Sequence, residues 1–288
     1  MVKKIDSFLN SITMYRLVLY SLIFLAAISF ILSLGGHLSD KPLALVTSAL
    51  VLISVCVGVN TVITRMLKIF PNIESSFITA FILFFIMPPA TNTTEIWSLV
   101  LAGFIAIASK YMMAIHKKHI FNPVAIAAVV LVILGDYGAS WWAGSLVLLP
   151  FTSAIGFLIV RKIRRPQLFF AFLISAVASI TAVGVLNGEA AQPLLIESIT
   201  SWPIIFFGTI MLTEPLTTPP TKKLQMIYGA LVGILFGARF HIGPFFSTPE
   251  LAFCCSMDLN FSRTNFETST AFASPCFFNN KPMPFLPL

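Results

Sequence analysis

The sequence predicts an all-α, polytopic membrane protein of about nine to ten transmembrane helices in two inverted five-helix repeats. Three observations carry this. Hydrophobic residues make up 57% of the chain and charged residues only 10%, which places it outside the range of soluble enzymes. The apolar residues lie in successive runs rather than on one face of each segment, and the alternation of a transmembrane barrel is absent. Such runs are helices, because a lipid-exposed backbone must satisfy its own N–H and C=O groups. The third observation is a short Phe-rich helix that stops in Pro and Thr, found twice, at 84–97 and 206–223.

Taken in order, the predicted spans are 15–36, 42–64, 74–88, 96–115, 122–135, 141–160, 167–187, 202–214 and 224–242. The first is full length and has no small-residue cleavage pattern behind it, so it reads as a retained helix and not as a signal peptide. Basic residues follow every even-numbered span: Arg65 and Lys68, then Lys110, Lys117 and Lys118, then Arg161, Lys162, Arg164 and Arg165, then Lys222 and Lys223. The intervening turns carry Asp40, Glu95, Asp136, Glu189 and Glu197. Lys and Arg near helix ends are retained inside, so the expected setting is a bacterial-type inner membrane with a cytoplasmic amino terminus. The net charge of +7 is then a topology signal, the lipid bilayer is the expected partner, and no nucleic acid is implied. Cys56 lies in a span, and Cys254, Cys255 and Cys276 have no metal-ligand spacing, so neither a disulfide framework nor a metal site is indicated.

"FFIMPPATNTTEIW" ends the third span and "FFGTIMLTEPLTTPPTKK" ends the eighth. These are matching places if the chain is two units, about 1–138 and 139–253, and an odd number of helices per unit turns the second upside down. "HKKHIFNPVAI" and "RFHIGPFFSTPEL" form a second pair, after the fourth and ninth spans. Short, Pro-interrupted segments at equivalent positions of inverted halves point to a midplane site between them. A half-length helix ending in "TEPLTTPP" is tolerated only where its unpaired backbone groups are buried in protein or face a wet cavity. The plainer alternative is a cytoplasmic turn in which Pro215, Pro219 and Pro220 stop one helix before the next.

Polar chemistry concentrates at the same junctions. Asn122 before Pro123 is an N-cap and first-turn pair, and the helix end it opens offers N–H groups and positive dipole to an anion or a ring carbonyl. Lys110, Lys118 and His119 add donors nearby, while the alternative is a capped helix with ordinary cytoplasmic lysines. Glu214 is the carboxylate at the inner break, suited to accept a hydrogen bond, hold a cation or carry a proton, or simply to pair with Lys222 or Lys223 in solvent. Arg239, late in the ninth span and followed by His241, either faces a partner or snorkels to the outer interface. No hydrolase triad, Walker loop, zinc site or Rossmann fingerprint is present, and no catalytic residue is assigned.

"KHIFNPVA" at 118–125 and "LTEPLTTPPT" at 212–221, the latter followed by the Gly-containing helix "YGALVGILFG", resemble two motifs of the NqrB/RnfD family. These are the flavin-carrying membrane subunits of sodium-pumping NADH:quinone reductase and of the Rnf electron-transport complex. The resemblance spans nearly the whole chain to about residue 253, and is nearest to a short branch joined to a cytoplasmic ferredoxin–NADP reductase-like domain. It implies a ten-helix inverted repeat and a flavin, FMN or riboflavin, held in the membrane. It also implies electron transfer from a cytoplasmic NAD(P)H-flavin reductase domain or from other electron-transport subunits. The cofactor-binding residues it implies are Lys118, Phe121, Asn122 and Pro123 in one motif and Thr213, Glu214, Pro215, Thr218 and Pro219 in the other, with Glu214 where Asp is usual.

Two departures qualify the resemblance. Covalent FMN in that family hangs from a Thr in an outer-loop motif, where this chain has only "GDYGASWWAG" at 135–144. Trp141 and Trp142 there read as interface anchors beginning the sixth span, so noncovalent flavin is expected, with Ser140 the lesser alternative. After "STPEL" comes an irregular tail, 254–288, rich in Asn, Ser, Thr, Phe and Cys, expected to be disordered and to reflect truncation or a frame shift. The expected function is a membrane flavin-binding electron-transfer module, a component of an NAD(P)H oxidoreductase or Rnf/Nqr-like system. A transporter or channel with its site at the broken helices is the alternative, and a cofactor-free assembly scaffold is a third.

Overall fold

The computed structural model describes residues 11–115, 118–119, 121–134, 138–215, 218–238, 241–242, 245–246, 249 and 253, with backbone alone at 114–115, 118–119, 241–242 and 245–246. Its helices are α1 (Met14–Leu34), α2 (Pro42–Met66), α3 (Ile73–Ile86), α4 (Thr93–Met112), α5 (Pro123–Ile133), α6 (Leu149–Ile163), α7 (Pro166–Leu186), α8 (Ala191–Thr200), α9 (Ile204–Met211) and α10 (Lys222–Gly237). Two short antiparallel pairs join Ala114–Ile115 to Lys118–His119 and His241–Ile242 to Phe245–Phe246. Among the described residues four helices, α1, α2, α4 and α7, are long and apolar enough to cross a membrane, and α8 with α9 makes a fifth if counted as one bent span. The chain is a membrane-embedded helical protein. Arg239, His119 and His241 as side chains, and the segment 254–288, lie outside the described residues.

The helix starts are written locally. Thr13 accepts from Arg16 N, and Asn72 from Ser75 N. At α4, Asn92 and Glu95 form a reciprocal capping box, and at α10 Thr221 accepts from Leu224 N. Each cap satisfies a donor that has no partner inside the helix, a requirement sharpened where water is scarce.

The core centres on the two short Phe-rich helices. Phe85 of α3 and Phe206 of α9 are fully buried with ring centroids 5.6 Å apart, and Phe207 continues the contact to Phe172 of α7 at 5.3 Å. On the other side α10 lies directly on α7. A Cβ placed at Gly229 would come within 2.6 Å of Leu168 O, and one at Gly237 within 2.6 Å of Ile180 N. Glycine at every fourth position thus lets two backbones touch, the small-residue packing that membrane helices use in place of a hydrophobic driving force.

Three expectations are corrected. The sixth span does not run from 141: Trp141 takes φ 49°, Trp142–Gly144 is a 3-10 turn, and α6 starts only at Leu149. Trp141 and Trp142 are not interface anchors. They turn inward and cap the end of α3, with Ser140 N and Trp141 N donating to Ile86 O at 2.8 and 2.9 Å and Trp142 Nε1 donating to Phe84 O at 2.6 Å. The helix that stops at "FFIM" has carbonyls with no intrahelical partner, and this loop supplies their donors. Finally, α8 occupies what reads as an outer turn, and meets α9 at a bend of 53° beside Pro203. The segment 202–214 is therefore not an isolated half helix.

Candidate functional site

α9 begins as one α-helical turn, Ile204–Phe206, and widens into a π-helix over Phe207–Met211. Such insertions are rare and frequent at functional sites, because they leave backbone groups to be paired from elsewhere. Here the threonines pair them. Thr209 Oγ1 donates to Ile205 O at 2.6 Å and Thr213 Oγ1 to Thr209 O at 2.5 Å. Beyond the helix Thr218 Oγ1 donates to Glu214 O at 3.0 Å, and Gln225 Nε2 to Pro219 O at 2.9 Å. Gln225 is in turn held by Gln167 Nε2 at 2.8 Å. The Thr/Pro composition of the break is thereby explained: each proline removes a donor, and hydroxyls and amides from neighbouring turns satisfy the carbonyls left over.

This frame fixes Glu214. Asn122 arrives from the other motif as the N-cap of α5, its Oδ1 accepting from Val124 N at 3.0 Å and Ala125 N at 3.4 Å. With Oδ1 committed to those N–H groups, Nδ2 must point outward, and it donates to Glu214 Oε2 at 3.0 Å. Pro123 at the first helical position preserves the geometry without wasting a donor.

A cavity of about 50 Å³ opens beside this bond, walled by Asn122, Pro123, Glu214, Lys110, Ser75 and Tyr15 among others. Lys110 Nζ donates to both Ser75 O and Ser75 Oγ at 3.0 Å, holding a cation against the first turn of α3. The positive end of that helix disfavours a cation, so a carboxylate bordering the same cavity is the natural counter-charge.

Of the residues implied by the resemblance, Asn122, Pro123 and Glu214 line the cavity together. Thr213, fully buried, and Thr218 are spent on backbone carbonyls, and buried Pro219 contributes its carbonyl to Gln225. These three hold the frame and do not line the cavity. Phe121 and Pro215 are half-buried beside the motifs, Phe121 packing on the core. For Lys118 only the backbone is described, paired with Ile115. Ser75 and Tyr15 carry no mark in the sequence. Their membership depends on α1 and α3 being neighbours, a tertiary fact also seen in the Arg16–Glu74 ion pair at 3.0 Å.

The donor and acceptor set suits the polar edge of a flavin ring: a carboxylate for a ring N–H, and Asn and Lys donors for ring carbonyls. The space beside it admits a few waters, well below the roughly 300–1,000 Å³ of a cofactor pocket. A second cavity of about 580 Å³ lies between α6, α7 and α9 and touches none of the implied residues. Compared with known proteins, the chain matches no protein-family model and no curated protein sequence.

Proposed function

We propose that this protein is a membrane electron-transfer module that holds a flavin where its two broken-helix motifs meet. The supporting observation is the hydrogen bond from Asn122 to Glu214, which joins "FNP" and "TEP" in one polar centre with Lys110. In this reading the chain has nine to ten crossings in two inverted five-helix repeats, with α3 and the α8–α9 pair as equivalent broken elements and a cytoplasmic amino terminus. Electrons arrive from a cytoplasmic NAD(P)H-oxidising flavin domain or partner subunit.

The flavin, bound noncovalently as FMN or riboflavin, would supply the redox chemistry, and the protein supplies place and polarity. Glu214 would accept from a ring N–H, Lys110 and the second Nδ2–H of Asn122 would donate to ring carbonyls, and the apolar walls from Ile78 and Ile82 of α3 and Ile210 of α9 would exclude water. Entry of the ring requires the centre to open beyond its present volume.

The first experiment is the visible spectrum of protein purified in mild detergent, before and after dithionite. A band near about 450 nm that bleaches, leaves on denaturation and is diminished in Glu214→Ala supports the reading. A folded, colourless protein overturns it. The small cavity favours a second reading, a transporter whose polar centre binds an ion or small solute, and flux into proteoliposomes without colour is its signature.

A further inference from the structure

The larger cavity, about 580 Å³, is built unlike the polar centre. Its walls are apolar, from Phe157, Val160, Phe169, Phe170 and Ile205, and its polar edge carries Arg161, Arg164 and Lys222 with no carboxylate among the lining residues. Phe157 is 62% exposed and Phe170 54%, so in a membrane-embedded helix bundle the opening faces lipid tails. The basic edge is reinforced by backbone: Pro166 and Gln167 begin α7 at the cavity wall, and α7 has no side-chain cap. Arg165, between Arg164 and Pro166 in the chain, has Nη1 buried without a hydrogen-bond partner, a costly arrangement.

We propose that this cavity is a binding site for an anionic phospholipid, with the phosphate at Arg161, Arg164 and Lys222 and an acyl chain along Phe157 and Phe170. The chemistry is that of one occupant with a charged head and a long apolar body. An apolar groove alone takes any lipid tail, and a basic surface alone takes any anion. Here the two are contiguous, and the cationic edge sits where a headgroup must lie if its chain enters from the side.

Native mass spectrometry of the detergent-solubilised protein, titrated with phosphatidylglycerol or phosphatidylcholine, tests this. Phosphatidylglycerol is expected to be retained about tenfold or more over phosphatidylcholine, each cation near the headgroup contributing to the preference. The pair Arg161→Gln with Lys222→Gln should abolish that preference, while Arg65→Gln with Lys68→Gln, which removes equal charge elsewhere, should keep it. Ser153→Phe, an exposed wall position that narrows the cavity, should lower binding of phosphatidylglycerol even if the charge variants fail to fold. Equal retention of the two lipids, or equal loss from both charge pairs, overturns the proposal. So does competition by inorganic phosphate or FMN at the same concentration, which would mark a soluble-anion site.

Discussion

Asn122 and Glu214, separated by 92 positions, are joined by a 3.0 Å hydrogen bond from Nδ2 to Oε2. The bond links the start of α5 to the end of α9, so two chain breaks that are unfavourable separately satisfy one another. Asn122 is buried and has both ends of its amide committed, which leaves it no freedom to be replaced by a residue that only accepts or only donates.

That commitment makes Asn122→Asp the informative substitution. Aspartate still caps α5, but it sets a second carboxylate beside Glu214. We expect a larger loss of stability at neutral pH than for Asn122→Ala, where the cap alone is worth about 1 kcal/mol. The excess should shrink as pH falls and one of the two carboxylates takes up a proton. Thermal unfolding in detergent as a function of pH is the measurement. An Asp variant as stable as wild type at pH 7 would remove the bond from the account.

Gly233 is the tightest point of the α7–α10 seam: a Cβ there would overlap Ser175 Oγ and come within 2.6 Å of Phe172 O and 2.8 Å of Ala176 N. Because backbone atoms cannot rotate away, Gly233→Leu should cost about 3 kcal/mol or more and abolish a monodisperse elution peak. Gly58, inside α2 with nothing within 4 Å, serves as the control. Gly58→Ala should be neutral or raise the melting temperature slightly.

Trp142 Nε1 is the side-chain donor that closes the end of α3 on Phe84 O. Trp142→Phe keeps an aromatic ring against Phe84 and Phe85 but deletes that donor. The expected cost is about 1–3 kcal/mol, read from the shift in thermal midpoint. A Phe variant indistinguishable from wild type would mean that the carbonyl finds water.

Asp40 lies in the turn between α1 and α2, and burial raises its carboxyl above the usual range. A folded-state value above the unfolded one favours the protonated form, so this contribution is present in acid and lost as pH rises through the folded value. Asp40→Asn should therefore melt slightly higher than wild type at neutral pH, with the difference closing below about pH 3.5. The backbone acceptor that Ser33 Oγ uses at Asp40 is unaffected by this exchange.

Much of the helical layout could be read directly, because each element states its own ends. The Asn122-Pro123 cap, the Asn92–Glu95 box and the long apolar runs of α1, α2 and α7 act within a few residues of each other. Trp141 and Trp142 were misleading for the opposite reason. Their neighbours in sequence suggest an interface, whereas their partners are Phe84 and Ile86, more than fifty positions away. α8 was illegible because ten residues containing Glu197 are too short and too polar to register as a span. It exists because Leu194 packs against the bare face of α7 at Gly184.

The same division runs through the site. Local chemistry marked Asn122 and Glu214, since a cap before proline and a carboxylate at a helix break are visible in a few residues. Lys110 entered only as a nearby donor, and Ser75 and Tyr15 not at all, because their roles arise when α1, α3 and α4 pack side by side. Composition and periodicity decide which segments become helices in a membrane, because each backbone must satisfy itself there. Which breaks face each other, and which threonines close the frame while others are left to line a cavity, depends on contacts between distant segments. Only the assembled bundle brings those within hydrogen-bonding reach.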